Sequence, residues 1–249
     1  MQINTDNSQI KTKTKRSEKI YIQQRDVDIL KFLDRVGYAN VAQIAKATGT
    51  DGNIKAQNAV LRRLYLLRRF KYIKIFSTHH GNYYALDTIA QGDNRLITSI
   101  KLDQLVHHDY LINLFLNVQQ HDNSHEILSE REVISKLKIV GKSGKIPDMI
   151  INNWIIEYER TNKSAKDCSE MLMYWMYNQN KHVCIIYETE EIKNRYTKLI
   201  NENNNQVQLV NSNNIDKILQ IITQKVPETK ESDVLKNLGI YDNKSNPYG

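Results

Sequence analysis

Only three prolines and nine glycines occur in 249 residues, which excludes collagen-like and proline-rich linker architectures. No window approaches the roughly 18 uninterrupted apolar residues of a membrane span, so no membrane partner is expected. The N-terminus carries Lys11, Lys13, Lys15 and Arg16 with no apolar run behind them. A secretory signal is therefore not expected, and the cytoplasm is the expected location. Two cysteines, Cys168 and Cys184, cannot build a disulfide framework, and their 16-residue spacing fits no zinc pattern. What remains, 25% charged and 40% hydrophobic residues, suits an ordinary globular chain of one large or two small domains.

Acidic residues are missing from one place in particular. The net charge is +7, and between Asp51 and Asp87 there is no acid at all, while Lys55, Arg62, Arg63, Arg68, Arg69, Lys71 and Lys74 supply seven positive charges. The rest of the chain holds 28 basic and 28 acidic residues and sums to zero. An acidic partner that meets residues 52–86 is the direct implication.

Periodicity divides the chain. Residues 1–20 are polar and without apolar period, and read as a disordered basic arm. From Gln24, the positions Val27, Leu30, Leu33 and Val36, widened by Ile29 and Phe32, predict a helix that Gly37 ends. A short helix from about Asn40 to Thr48 and a third from about Ile54 to Arg69 follow, the latter with Val60, Leu64 and Leu67 on its apolar stripe. Tyr72 to Phe76 and Tyr83 to Leu86 predict two strands around the turn at Thr78 to Asn82. Three helices and a hairpin over 21–92 define a winged helix-turn-helix domain.

A second domain is expected over 97–226. It opens with a long helix from about Ile100 to Gln120, with Leu102, Leu105, Val106, Tyr110, Leu111 and Leu114 facing the core. Strands follow at about Glu126 to Val133, Asp148 to Ile151 and Trp154 to Arg160, the last two joined by an Asn152-Asn153 turn. A helix from about Ser164 to Asn178, a buried strand Val183 to Tyr187, a helix Glu190 to Asn201 and a short strand Val207 to Val210 complete an α/β sandwich around a mixed sheet. Residues 227–249 read as a polar tail.

The third helix and the hairpin have the chemistry of a DNA reader. Asn53, Lys55, Gln57, Asn58 and Arg62 can read base edges or phosphates along an exposed helix face. Arg63, Arg68, Arg69, Lys71 and Lys74 add charge toward the wing, whose tyrosines could pack on sugars. His79 and His80 in the wing turn read as phosphate contacts or bystanders rather than metal ligands. His107 and His108 read as packing residues.

The most specific chemistry gathers on the hairpin after Pro147. Pairing about Asn152-Asn153 sets Asp148 opposite Glu157, and like charges there destabilise unless something binds between them. A divalent cation with oxygen ligands, Mg²⁺ or Mn²⁺, resolves this. Period two places Glu159 on the same face, and Arg160 and Lys163 flank the cluster. Such an ensemble can activate a nucleophile and stabilise charge on a phosphodiester.

Pro147-Asp148 followed by Glu157-x-Glu159, on a core of one helix, three strands, a helix and a strand, resembles the PD-(D/E)xK nuclease superfamily. With the upstream winged helix and the segment Ile156-Glu157-Tyr158-Glu159-Arg160-Thr161-Asn162-Lys163-Ser164, residues 24–190 resemble more closely the plasmid replication-relaxation proteins and MobC-type mobilisation relaxases. The resemblance implies a metal-dependent endonuclease that nicks one strand at a plasmid transfer origin during conjugative mobilisation. Asp148 and Glu157 would bind the metal, and Glu159 would bind it or position the nucleophile. Glu159 stands where the superfamily has lysine, and Lys163 on the next helix would replace that lysine. Glu130, in preference to Glu132, would be the upstream acid. The implied partners are transfer-origin DNA, an accessory mobilisation protein and a coupling protein, with a homodimer as candidate assembly. The histidine-hydrophobic-histidine motif of the other relaxase class is absent. Among the tyrosines, Tyr158 alternates away from the acids, leaving Tyr174 and Tyr177 as candidates for a covalent link. The rival expectation is a DNA-binding regulator of replication or transcription whose nuclease-like domain serves dimerisation.

Overall fold

A computed structural model describes residues 20–50, 53–87, 97, 99–122, 124–137, 146–161, 163–178, 181–200 and 206–223. The expected basic arm, apart from Ile20, and the polar tail lie outside these. Helix α1, Gln24–Val36, buries Ile29, Phe32, Leu33 and Val36, and Asp26 reaches back to the Gln23 amide in a reciprocal cap. Gly37, at φ 88°, stops it by donating its N–H to the Leu33 carbonyl. A Cβ there would also lie 2.9 Å from Ile97 Cδ1 and 3.2 Å from Arg131 Cδ, so glycine allows a close approach as well as a turn. Strand β1, Tyr38–Asn40, leads into α2, Val41–Ala47, where Asn40 and Gln43 cap each other. Helix α3, Ile54–Arg69, is capped by Asn53 and buries Val60, Leu64 and Leu67. Strands β2, Ile73–Thr78, and β3, Gly81–Leu86, close a three-stranded antiparallel sheet in the order β1-β3-β2.

The second part begins with α4, Leu102–His121. Its Leu105, Leu111 and Leu114 are buried as expected, but Leu102 and Val106 face outward. Strand β4, Ile127–Ser129, is shorter than expected because the chain turns at Ser129 into helix α5, Glu130–Leu137. Ser129 and Glu132 form the reciprocal hydrogen bonds of a capping box, with Ser129 N to Glu132 Oε2 at 3.0 Å and Glu132 N to Ser129 Oγ at 3.3 Å. Glu130 is thus the first residue of a helix, not part of a strand.

Strands β5, Met149–Ile151, and β6, Trp154–Glu159, form the expected hairpin, paired Met149 to Ile156 and Ile151 to Trp154. Asn152 turns it at φ 53°. Helix α6, Ala165–Met173, runs on into a π-helical turn, Tyr174–Asn178. Strand β7, His182–Tyr187, helix α7, Glu190–Leu199, and strand β8, Val207–Asn211, come next, and helix α8, Ile215–Thr223, an element beyond those expected, ends the described chain.

The five-stranded sheet runs β4-β5-β6-β7-β8 and is mixed: β4, β5 and β6 pair antiparallel, and β6, β7 and β8 parallel through helical crossovers. One face, with Trp154, Ile156, Tyr158, Cys184 and Ile186, shares an apolar cluster with α4, α8 and the three N-terminal helices. The other, with Ile155, Val183 and Ile185, packs on Cys168, Leu172, Trp175 and Tyr196. The molecule is a mixed α+β structure, and no helix among the described residues is long and apolar enough to cross a membrane.

Candidate active site and nucleic-acid face

Strand β6 is where the sheet changes from antiparallel to parallel pairing. Antiparallel pairing brings the start of β5 to the same edge as the end of β6. The register places Asp148, just ahead of β5, opposite Glu157. Asp148 Oδ2 accepts a 2.8 Å hydrogen bond from the Tyr158 backbone N–H, and Oδ1 lies 3.1 Å from His107 Nε2 on α4.

Glu157 and Glu159 alternate onto one face, as period two requires, and are both buried. Lys163, on the approach to α6, answers them. Its Nζ stands 2.5 Å from Glu159 Oε1 and 3.7 Å from Glu157 Oε2. Burial opposes the Lys163 charge, but Glu157, Glu159 and Asp148 outweigh it and hold the ammonium above its ordinary lysine value. Tyr196, buried on α7, donates to Glu159 Oε1 at 2.9 Å. Four expected residues are therefore brought together: three carboxylates around one lysine ammonium. Glu130 borders the same group, its carboxyl pushed up first by lost hydration and then by the Asp148 charge. Glu132 is turned away and pairs with Arg35 at 2.9 Å.

A cleft of about 590 Å³ opens over this edge, lined among others by His107, Glu130, Asp148, Glu159, Arg160 and Lys163, with Val36, Gly37 and Tyr38 as its opposite wall. Tyr158 does turn from the acids: its hydroxyl binds Glu188, as does Arg160 Nε at 3.0 Å. Tyr174 packs edge-on against Trp175, and the Tyr177 side chain lies outside what is described.

Among the described residues, no three His, Cys, Asp or Glu side chains converge as a preformed metal cage. Mg²⁺ needs none, since it keeps several waters and is usually held by one or two carboxylates plus substrate phosphates. Asp148, which lines the cleft, and Glu157, buried across the strand pair, supply carboxylates of that kind. Glu159 is engaged instead with Lys163 and Tyr196.

The acid-free window maps onto α3 and the hairpin. Lys55, Asn58, Arg62, Arg68, Arg69 and Lys71 are exposed, and Gln57 is half-buried. Asn53 caps the helix, its Oδ1 accepting from Ala56 N at 3.0 Å, and Lys74 lies over the Phe76 ring. Arg63 departs from the expected set: its guanidinium grips the fully buried Asp26 of α1 through both carboxylate oxygens and donates to the Tyr21 carbonyl. Tyr83 and Tyr84 are buried rather than offered to sugars. His79 and His80 are exposed, but their rings lie 3.9 Å apart because they occupy a turn instead of an extended strand.

Sequence reasoning missed His107 and Tyr196. For His107 the available signal was position: four residues before Leu111, it shares the inward face of α4. Tyr196 carried no comparable signal, since only the folded packing of α7 brings it to Glu159. Comparison with family models, curated proteins and solved structures returns no match to this chain.

Proposed function

We propose that the chain binds DNA and cleaves one strand of it in a metal-dependent reaction, as a relaxase acting at a plasmid transfer origin. The observation that carries this reading is the Lys163 ammonium set against Glu157 and Glu159 beside Asp148, at the end of β6 and on an open cleft. The order helix, strand, helix, helix, strand, strand in the N-terminal part supports a winged helix with α3 as reading helix and β2–β3 as wing. Asp148 just ahead of β5, opposite Glu157 on β6, supports a PD-(D/E)xK-like nuclease.

In this reading the Tyr158 N–H orients Asp148, and Asp148 and Glu157 would hold Mg²⁺ or Mn²⁺. The ion, when bound, supplies Lewis-acid polarisation of a phosphoryl oxygen and a bound water of lowered pKa. Lys163, kept protonated by its carboxylates, stabilises charge developing on the phosphate, and Glu159 and Tyr196 aim it. Glu130 contributes negative charge at the cleft wall. An accessory mobilisation protein and a coupling protein are the partners this activity would need.

The test is nicking of supercoiled plasmid carrying the cognate origin, in Mg²⁺ or Mn²⁺. Wild-type protein should give open circles, and Asp148→Asn and Lys163→Met should not. Open circles from Asp148→Asn would overturn the mechanism. One observation favours a second reading, a non-cleaving regulator: glutamate occupies position 159, and its carboxylate binds Lys163 directly. DNA binding without nicking by the wild-type protein, in either metal, would select it.

A further inference from the structure

We infer that α3 recognises A·T base pairs through an exposed apolar ridge of Ile54, Leu61 and Tyr65 that seats on thymine methyl groups in the major groove, an inference that rests on the reading of the chain as a DNA binder. Large apolar side chains scattered singly over a surface need no partner, but a contiguous patch does. Ile54 is 77% exposed, Leu61 39% and Tyr65 66%. At about 100° per residue the three project within roughly 40° of one another, about a third of a turn from the buried stripe of Val60, Leu64 and Leu67. From Ile54 to Tyr65 the ridge runs about 16 Å, the rise of roughly four to five base pairs.

What flanks the ridge selects its occupant. Exposed Arg68 lies along one side, and exposed Arg62 and Arg69 lie along the other. No acid occurs between Asp51 and Asp87 to answer them, so the ridge of a second copy would bring like charges together, whereas DNA phosphates neutralise them. Asn58, exposed and one turn from both Ile54 and Leu61, carries the carboxamide that bonds two edge atoms of adenine, and the base opposite adenine presents a methyl group in the same groove. Thymine alone among the bases has that methyl, so an apolar ridge beside an amide is matched to A·T pairs rather than to G·C pairs. The flanking guanidinium groups then hold phosphates and set the register.

The experiment uses the full chain and two probes: the alternating dA-dT duplex, which offers a thymine methyl at every base pair, and the dA-dU duplex, which lacks only those methyls. Binding is followed by fluorescence anisotropy for wild type and for the triple variant Ile54→Ala, Leu61→Ala, Tyr65→Ala, with thermal melts and sedimentation of the free proteins. Wild type should bind the dA-dT duplex more tightly, by about fourfold for each methyl it buries. The triple variant should bind both duplexes alike, about as wild type binds dA-dU. It should melt no lower than wild type, because the truncated side chains face solvent in the free protein. Equal wild-type affinity for the two duplexes, or a preference for dA-dT that survives in the triple variant, overturns the ridge and leaves DNA binding standing. Failure of wild type to bind either duplex at low salt overturns the DNA-binding reading itself, and the ridge with it. A lower melting temperature in the variant, or a wild-type dimer that the variant dissociates, means that protein covers the ridge, and also overturns the inference.

Discussion

His108, the neighbour of His107, does opposite work. It lies stacked on the Tyr38 ring at 3.8 Å, with Nε2 2.9 Å from the Tyr38 carbonyl. A carbonyl only accepts, so Nε2 carries the proton and donates. Loss of hydration pulls the His108 pKa down from 6.5 to about 4, which leaves the ring neutral in the native protein. The unfolded chain protonates this ring near pH 6.5 and the native one only near pH 4, so stability is lost as pH falls through that window. Denaturant midpoints for wild type should fall between pH 7 and about pH 5, and His108→Gln should flatten part of that fall. An identical pH dependence in both proteins would show that His108 is not the responsible group. Adjacent histidines on one helix are thus separated by environment: one faces a carboxylate at an open rim, the other a carbonyl in a packed stack.

At the scale of elements, α3 holds two adjacent arginines that should fail in different ways. Arg62 is exposed on the acid-free face, so Arg62→Ala should leave stability nearly unchanged and lower the salt slope of DNA binding by about one. Arg63→Ala strips the partner from a buried carboxylate and should cost roughly 3 kcal/mol in denaturant melts, with the salt slope intact. Equal salt slopes for Arg62→Ala and wild type would remove α3 from the DNA face. The same helix shows what a sequence makes legible. Its apolar stripe is local, as are the Asn40 cap and the Asn152-Asn153 register that sets Asp148 against Glu157, and all could be read directly, whereas Asn53, expected on the DNA-reading face, caps the helix. The direction of Arg63 could not, because Asp26 lies 37 positions away and only folding brings them together. Strand β1 exists only through pairing with β3, and His107 meets Asp148 only through packing of α4 on the sheet. Helix α5 is a different case: Ser129-Glu130-Arg131-Glu132 spells a capping box, a local signal that stops the strand expected to run on to Val133.

Across the whole molecule, the two parts share structure rather than touching at a linker. The Phe32 and Phe115 rings lie 6.2 Å apart within one apolar cluster, and the Arg35 guanidinium sits 4.7 Å over Phe115. Arg35 also donates to the Ile127 carbonyl at 2.7 Å and pairs with Glu132, while Ser129 Oγ returns a bond to the Arg35 carbonyl. Farther along, Asp109 accepts from Tyr83 and Gln43, so α4 is tied to the hairpin and to α2. These bonds give the cleft a wall from the N-terminal half, and they should make the basic face and the carboxylates one rigid unit. Phe115→Ala should then cost about 3–5 kcal/mol and weaken both halves together. The chain makes this measurable, because both tryptophans, Trp154 and Trp175, lie in the second half. Their fluorescence should report unfolding there while amide hydrogen exchange in α1 and α3 reports the first half. Coincident transitions, shifted equally by Phe115→Ala, are the expected result. Protection of α1 and α3 that outlasts the tryptophan transition would instead mean that the halves fold separately, and that DNA held on α3 is not positioned against the cleft by the fold itself.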